Sequence, residues 1–135
     1  EWEYAARGGL SGNHFPWGEQ MPACVDGETN GARFYTTGCE YADTAPVGSY
    51  APNGLHLFDM AGNVMEWVMD WYNEFYYASL IPGALDPPGP LSGSLRVTRG
   101  GAWDSPAYLL RVSMRYGSNP DLGAPNIGFR CVLQP

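Results

Sequence analysis

The chain has 135 residues, a formal net charge of −7, 44% hydrophobic and 16% charged residues, 18 Gly and 12 Pro. That balance excludes a disordered chain, because the apolar and aromatic content can build a core, and it excludes a helical bundle, which so many turn-formers would interrupt. All seven basic residues are Arg, so the chain has no basic footprint for nucleic acid and none for an anionic membrane surface.

The length is that of one domain. No apolar run approaches the roughly 18 residues of a membrane-spanning helix, and no signal peptide is visible. The expectation is therefore no nucleic-acid partner and no membrane contact by this segment. An acidic chain rich in Asn and Gly suits a cation better. Glu1-Trp2-Glu3-Tyr4 reads as the middle of an element, so an N-terminally truncated domain is expected. The compartment stays open, with a cell-surface or secreted location included.

Glu1 to Arg7 has helix-forming composition and meets a stop at Gly8-Gly9. Residues 10–57 are crowded with turn signals, among them Asp26-Gly27, Asn30-Gly31 and Pro52-Asn53-Gly54, and read as a long ordered loop region pinned by aromatics. Cys24 and Cys39 either form a disulfide closing a 15-residue loop or remain thiols. Cys131 is then left over, as a small buried hydrophobe. The cysteines and two histidines lack zinc-finger spacing.

Residues 64–71 alternate with period two, which predicts a half-buried strand. Met65, Trp67, Met69 and Trp71 fall on one face, Glu66 and Asp70 on the other. Residues 82–93 are a Pro/Gly loop. Ser94 to Thr98 and Ile127 to Leu133 read as further strands, and residues 104–126 between them carry no regular pattern.

Three constellations could carry chemistry. In Asp59-Met-Ala-Gly62-Asn63-Val64-Met-Glu66 two carboxylates flank a tight turn. Calcium takes carboxylate and carbonyl oxygens from chain of this kind, although the same residues also suit a plain turn followed by a solvated Glu66. Arg99-Gly100-Gly101-Ala102-Trp103 reads as backbone packed beneath an aromatic, and no helix or Lys follows to make a phosphate loop. Arg130 in Asn126-Ile-Gly128-Phe-Arg130 reads as a buried Arg paired with an acid. Nucleophilic signatures are thin: there is no Lys and no Gly-x-Ser-x-Gly, and His14 and His56 both lie in loops.

Seven motifs in order carry a resemblance: Glu1-Trp-Glu-Tyr-Ala-Ala-Arg-Gly-Gly9, Phe15-Pro-Trp-Gly18, Thr44-Ala-Pro-Val-Gly-Ser49, Pro52-Asn53, Phe58-Asp-Met-Ala-Gly-Asn-Val-Met-Glu-Trp67, Arg96-Val-Thr-Arg-Gly-Gly-Ala-Trp103 and Gly128-Phe-Arg130. The chain resembles the formylglycine-generating enzyme (sulfatase-modifying factor) family over its whole length. The resemblance implies an α+β, C-type-lectin-like fold, loop-rich with short antiparallel strands. It implies structural calcium held by the side chains of Asp59 and Glu66 and the carbonyls of Gly62 and Val64. A second calcium site is implied in the loop before Thr44, where Asn30 could serve but Cys39 stands in place of an Asp. The family enzyme binds copper(I) through two cysteines after Arg-Gly-Gly. Here Ser105 holds the first position and the second falls near Leu110, so no copper and no catalytic residues are expected. The iron-dependent relatives carry a His-x-x-x-His motif, which does not occur in this sequence. The family cysteine matched by Cys131 is structural, and its partner position holds Ala6.

The C-terminal part also resembles the variable proteins of diversity-generating retroelements. The matching residues are Arg99-Gly-Gly-Ala-Trp103, Leu110-Arg-Val-Ser-Met-Arg115, Asn119-Pro-Asp121 and Asn126-Ile-Gly-Phe-Arg130. That resemblance implies mutagenesis at adenines of AAC codons, which reaches any NNC codon and excludes Lys, Glu, Gln, Met and Trp. Residues 104–109, 116–118 and 122–125 all fall within the allowed set, while Met114 must be fixed or explained otherwise. It marks 99–130 as a variable segment and Asp104, Ser105, Ala107, Tyr108, Tyr116, Ser118, Leu122 and Ala124 as ligand-binding residues for a protein or glycan. Tyr108 and Tyr116 are the best anchors, since tyrosine gives large contact area at low entropic cost. The expected function is ligand binding without catalysis; the alternative is a family enzyme or an inactive paralogue.

Overall fold

The computed structural model describes residues 1–133. Helix α1 spans Trp2–Arg7, strand β1 Met65–Trp71, helix α2 Tyr76–Ser79, strand β2 Arg96–Arg99, strand β3 Tyr116–Ser118 and strand β4 Ile127–Gly128, with a 3₁₀ turn at Ala107–Leu110. The four strands form one sheet in the order β3-β2-β1-β4. β2 lies antiparallel to β1 and to β3. β4 runs parallel to β1, pairing Met65 with Ile127 and Glu66 with Gly128. The sheet is therefore mixed, where short antiparallel strands were expected. Only two residues of the expected 127–133 strand join it, because Arg130 turns back to Glu66 and the chain leaves the ladder.

Helix α1 forms where the composition places it. Glu3 and Arg7 pair one turn apart at 2.7 Å. The helix ends at Gly8, whose amide donates to Ala5 O, and the Asn53 amide donates to the carbonyls of Ala5 and Ala6 at the helix end. The same Asn53 accepts from the Leu55 and Leu57 amides, tying the loop to the helix end.

Strand β1 follows its alternation, but one face reads the other way from the expectation. Glu66 is 5% exposed and Met69 is 85% exposed. Glu66 faces α1, where the Trp2 indole donates to it at 2.7 Å, and it lies opposite Arg99 on β2. The register between β1 and β2 shifts between Trp67 and Trp71, and within this irregularity Met69 faces solvent.

The core lies in the loops. One cluster joins Phe15, Ala32, Phe34 and Ala61 with Leu110; a second joins Ala6, Met60 and Val112. The long 10–57 region thus supplies much of the buried surface, which is why it is ordered without helix or strand. Cys24 and Cys39 are bonded to each other, and Cys24 packs on the first cluster. Cys131 is exposed rather than buried, because the strand that would have carried it inward stops at Gly128.

Tyr50 is buried in this loop region, and its hydroxyl has no partner among the described residues. Burial pushes the phenol up to about 12. An unpaired buried hydroxyl costs about 1–3 kcal/mol, so Tyr50→Phe is expected to raise the urea midpoint by an amount worth about 1 kcal/mol. A lower midpoint would mean that the hydroxyl has a partner.

Candidate ligand-binding face

The turn at Gly62-Asn63 is the junction of the molecule. The Gly62 amide donates to Gly100 O, the Asn63 amide to Arg33 O, and the Trp103 amide to Asn63 O, all at 2.8–2.9 Å. The Asn63 side chain reaches Ala45 through both its oxygen and its nitrogen. Gly62 has φ +79°, and a Cβ there would lie 2.3 Å from Arg33 O, so no other residue lets these three chains meet.

Residues 104–126 leave this junction and return to it. Ser105 Oγ accepts from the Ala102 amide, and Ser105 O accepts from the Tyr35 amide. Leu110 comes down against Gly101, where a Cβ would be 2.8 Å from its Cδ1, and the positive φ of +69° independently favours glycine. The Val112 amide donates to His14 O. The Asn126 amide nitrogen donates to both carboxylate oxygens of Asp104 and closes the segment.

The eight expected ligand-binding residues divide on this frame. Tyr108, Tyr116 and Leu122 are exposed, as is Asp104. Ala107 and Ala124 are half-buried, Ala107 against the first cluster. Ser105 and Ser118 do not join the surface. Both are buried, because the Ser105 hydroxyl serves the Ala102 amide and the Ser118 hydroxyl bonds Thr98 Oγ1 at 3.0 Å. Asn63, read from sequence only as part of a turn, anchors the start of the segment, and Tyr35, which stands beside Ser105, was missed.

Of the expected calcium ligands, Arg130 meets the Glu66 carboxylate and the main-chain carbonyl of Asp59. Its Nε donates to Glu66 Oε2 at 2.7 Å and its Nη2 to Glu66 Oε1, and Nη2 also reaches the carbonyls of Phe58 and Asp59. Asp59 Oδ2 accepts from the Gly48 amide. Asp59 Oδ1 accepts nothing from the described residues, and Glu66 Oε1 accepts one bond only. Each carboxylate thus keeps acceptor capacity, and the Glu66 charge is matched by Arg130. No cluster of three or more His, Cys, Asp or Glu side chains occurs among the described residues.

His14 is exposed and bonds Glu19 at 2.5 Å, and this bond holds the Glu19 carboxyl below the usual range. Two small cavities hold about 20 and about 10 Å³. The larger has room for about one water and the smaller for none.

Residues 1–135 match the family described as the sulfatase-modifying factor enzyme 1-like domain. The chain belongs to that family. It is 42% identical over 140 residues to a formylglycine-generating enzyme of Streptomyces coelicolor, covering 98% of this chain and 44% of that protein. It is also 42% identical over 132 residues to the serine/threonine-protein kinase pkn1 of Chlamydia pneumoniae, covering 20% of that protein. Among solved structures, Treponema denticola variable protein 1 superposes with a TM-score of 0.72 at 33% identity, over 96% of this chain and 43% of that one. The chain thus spans less than half of each of these proteins. The α+β, C-type-lectin-like architecture expected from the motifs is the architecture of this sulfatase-modifying factor domain.

Proposed function

We propose that this sulfatase-modifying factor domain binds a protein or glycan ligand without catalysis, through residues displayed between Trp103 and Asn126. The observation that carries the reading is the division of labour within the segment. Tyr108, Tyr116 and Leu122 project to solvent, while Ser105, Leu110, Val112 and Ser118 beneath them are buried. Exposed residues on such a frame can change without unfolding it. The likeness to Treponema denticola variable protein 1 supports the reading. The Cys24–Cys39 disulfide suits an oxidising compartment, in keeping with a secreted or cell-surface position.

Sequencing the genomic locus tests the diversified form of the reading. A near-repeat of codons 99–130, differing mainly at adenines and lying beside a reverse transcriptase, is expected. Absence of that repeat removes the retroelement from the proposal.

The second reading is a family enzyme or an inactive paralogue, favoured by the likeness to the Streptomyces formylglycine-generating enzyme. Ser105 and Leu110 stand where the resemblance puts the copper thiolates, and soft thiolates are what copper(I) needs. Oxygen uptake with copper and a cysteine-containing sulfatase peptide is therefore expected to stay at background. Turnover would establish the enzyme reading.

Calcium belongs to the same proposal, at Asp59 and Glu66 with the carbonyls of Gly62 and Val64. Glu66 also holds Arg130, so Asp59→Asn is the cleaner probe. Added calcium is expected to raise the wild-type melting temperature and to leave Asp59→Asn unchanged. Equal melting of both proteins in calcium and in chelator would leave only the turn.

A further inference from the structure

The Pro/Gly loop between α2 and β2 takes no part in the 104–126 face, and it carries one bond with chemistry of its own. Asp86-Pro87 is the one Asp-Pro pair in the sequence. An Asp-Pro peptide bond is labile in acid for two reasons. The aspartyl carboxyl group can close a ring on its own main-chain carbonyl, which makes the attack intramolecular. The proline nitrogen is more basic than an ordinary amide nitrogen, so it leaves more readily.

The structure favours that reaction at this bond. Asp86 has φ +44°. A residue before proline is driven to extended backbone, so this conformation is sparsely populated even for aspartate. The loop fixes it from both sides. Before it, the Ala84 amide donates to Ile81 O at 3.1 Å. After it, the Gly89 amide donates to the Tyr76 hydroxyl at 3.0 Å, and Gly89 packs on the Asp70 side chain. Water reaches the bond, because Leu85 is 90% exposed and Asp86, Pro87 and Pro88 are exposed as well.

The Asp86 carboxyl group is free to turn on its own carbonyl. It is the only charge of residues 81–93. The charged and titratable groups of the elements around the loop are Asp70 and Tyr76 at Gly89, Glu74 between β1 and α2, and Arg96, which stacks on Trp71. None of them forms an ion pair with Asp86.

We infer that Asp86–Pro87 is a self-cleavage site, and that the cut domain persists as a folded two-chain protein. In the step, a carboxyl oxygen of Asp86 bonds to its own carbonyl carbon. The C–N bond to Pro87 breaks, and the carboxyl proton ends on the proline nitrogen, which leaves as a secondary amine. Water then opens the cyclic anhydride, so Asp86 keeps its side-chain carboxyl group and gains a terminal one. One water is consumed and no oxidant or cofactor is needed. The step uses the carboxyl proton, so its rate rises as the pH falls. Cutting also releases the strained turn, so backbone strain held by the fold speeds the step.

The two halves do not depend on this bond to stay together. Residues 1–86 hold α1, β1 and α2, and β2, β3 and β4 follow the cut. β2 and β4 both pair with β1. Arg99 pairs with Glu3 and Arg130 with Glu66, and Leu110 packs among Phe15 and Phe34.

The test holds the oxidised protein in a mildly acidic buffer in which circular dichroism shows it folded, and follows its mass. Asp86→Asn, and wild type unfolded in urea at the same pH, run beside it. Asn also tolerates positive φ, so this variant keeps the turn and loses the carboxyl group. Expected are two fragments, one ending at Asp86 and one beginning at Pro87, with masses that sum to the intact chain plus one water. They are expected at least about tenfold faster from the folded chain than from the unfolded one, the scale of backbone strain of this kind. Asp86→Asn is expected to stay intact. The fragments are expected to elute together in native gel filtration and apart in urea. An uncut wild type, cutting at another bond, or equal cutting of Asp86→Asn would overturn the site. Equal rates from folded and unfolded chains would overturn the role of the strained turn. Fragments that separate in native buffer would overturn the two-chain form.

Discussion

Arg130→Met is expected to destabilise the domain by about 3–5 kcal/mol, the usual cost of removing one partner from a buried ion pair. Glu66 is 5% exposed and gives both oxygens to Arg130. Without the guanidinium, its charge would retain only the Trp2 indole. Arg99 faces Glu66 across the strands but is committed to Glu3 and to Val112 O, so it cannot substitute without releasing α1. Arg130 also holds the carbonyls of Phe58 and Asp59, which stand at the start of the junction turn. The loss is a large part of the 5–15 kcal/mol that stabilises a typical domain, and corresponds to a melting temperature lower by roughly 10–20 °C. The double variant Arg130→Met/Glu66→Gln removes the stranded charge and is expected to recover at least half of the loss. Urea unfolding of the two variants decides. If Arg130→Met lies within 1 kcal/mol of wild type, the pair does not organise the sheet and α1 about it.

The same pair shows where sequence patterns stop being informative. Helix α1 was legible because its stop is local, in Gly8-Gly9. Strand β1 was legible because period two is local. Which face of β1 is buried was not, because Glu66 owes its burial to an Arg 64 residues away and to the indole of Trp2. The pattern 127–133 promised a full strand, but a strand needs a partner along its length, and the pull of Glu66 on Arg130 ends the pairing after Gly128. The exposure of Cys131 follows from that single turn.

The candidate face was half legible for a related reason. Large side chains that the core does not need show themselves, so Tyr108, Tyr116 and Leu122 were found. Small hydroxyls do not declare their role. Ser105 and Ser118 fit a list of changeable surface residues as well as they fit a list of buried hydrogen-bonding groups, and only the Ala102 amide and Thr98 decide for the second. Tyr35 carried no signal, because its place beside Ser105 depends on one main-chain bond between residues 70 positions apart.

Leu110→Ala is expected to cost about 3 kcal/mol, within the range of about 2–5 kcal/mol for a Leu truncated in a packed core. Leu110 is 0% exposed and is the point at which the 104–126 segment enters the first cluster, among Phe15, Ala32, Phe34 and Ala61. The wall at Gly101 is backbone, already in contact with Leu110, so it cannot close the space left behind. The effect has a direction as well as a size. The 107–110 turn carries Tyr108 outward and Leu110 inward, so loosening Leu110 should loosen the display. Amide exchange is expected to quicken at residues 105–110 and at Tyr35, whose amide is held by Ser105 O, and to change little at Val97 and Thr98 in β2. Tyr108→Ala is expected to change stability by less than about 0.5 kcal/mol, as exposed positions do. The two variants side by side separate support from display. A Leu110→Ala cost below 1 kcal/mol would mean that the turn does not rest on the core. A Tyr108→Ala cost above 1 kcal/mol would mean that its ring serves the fold rather than a partner.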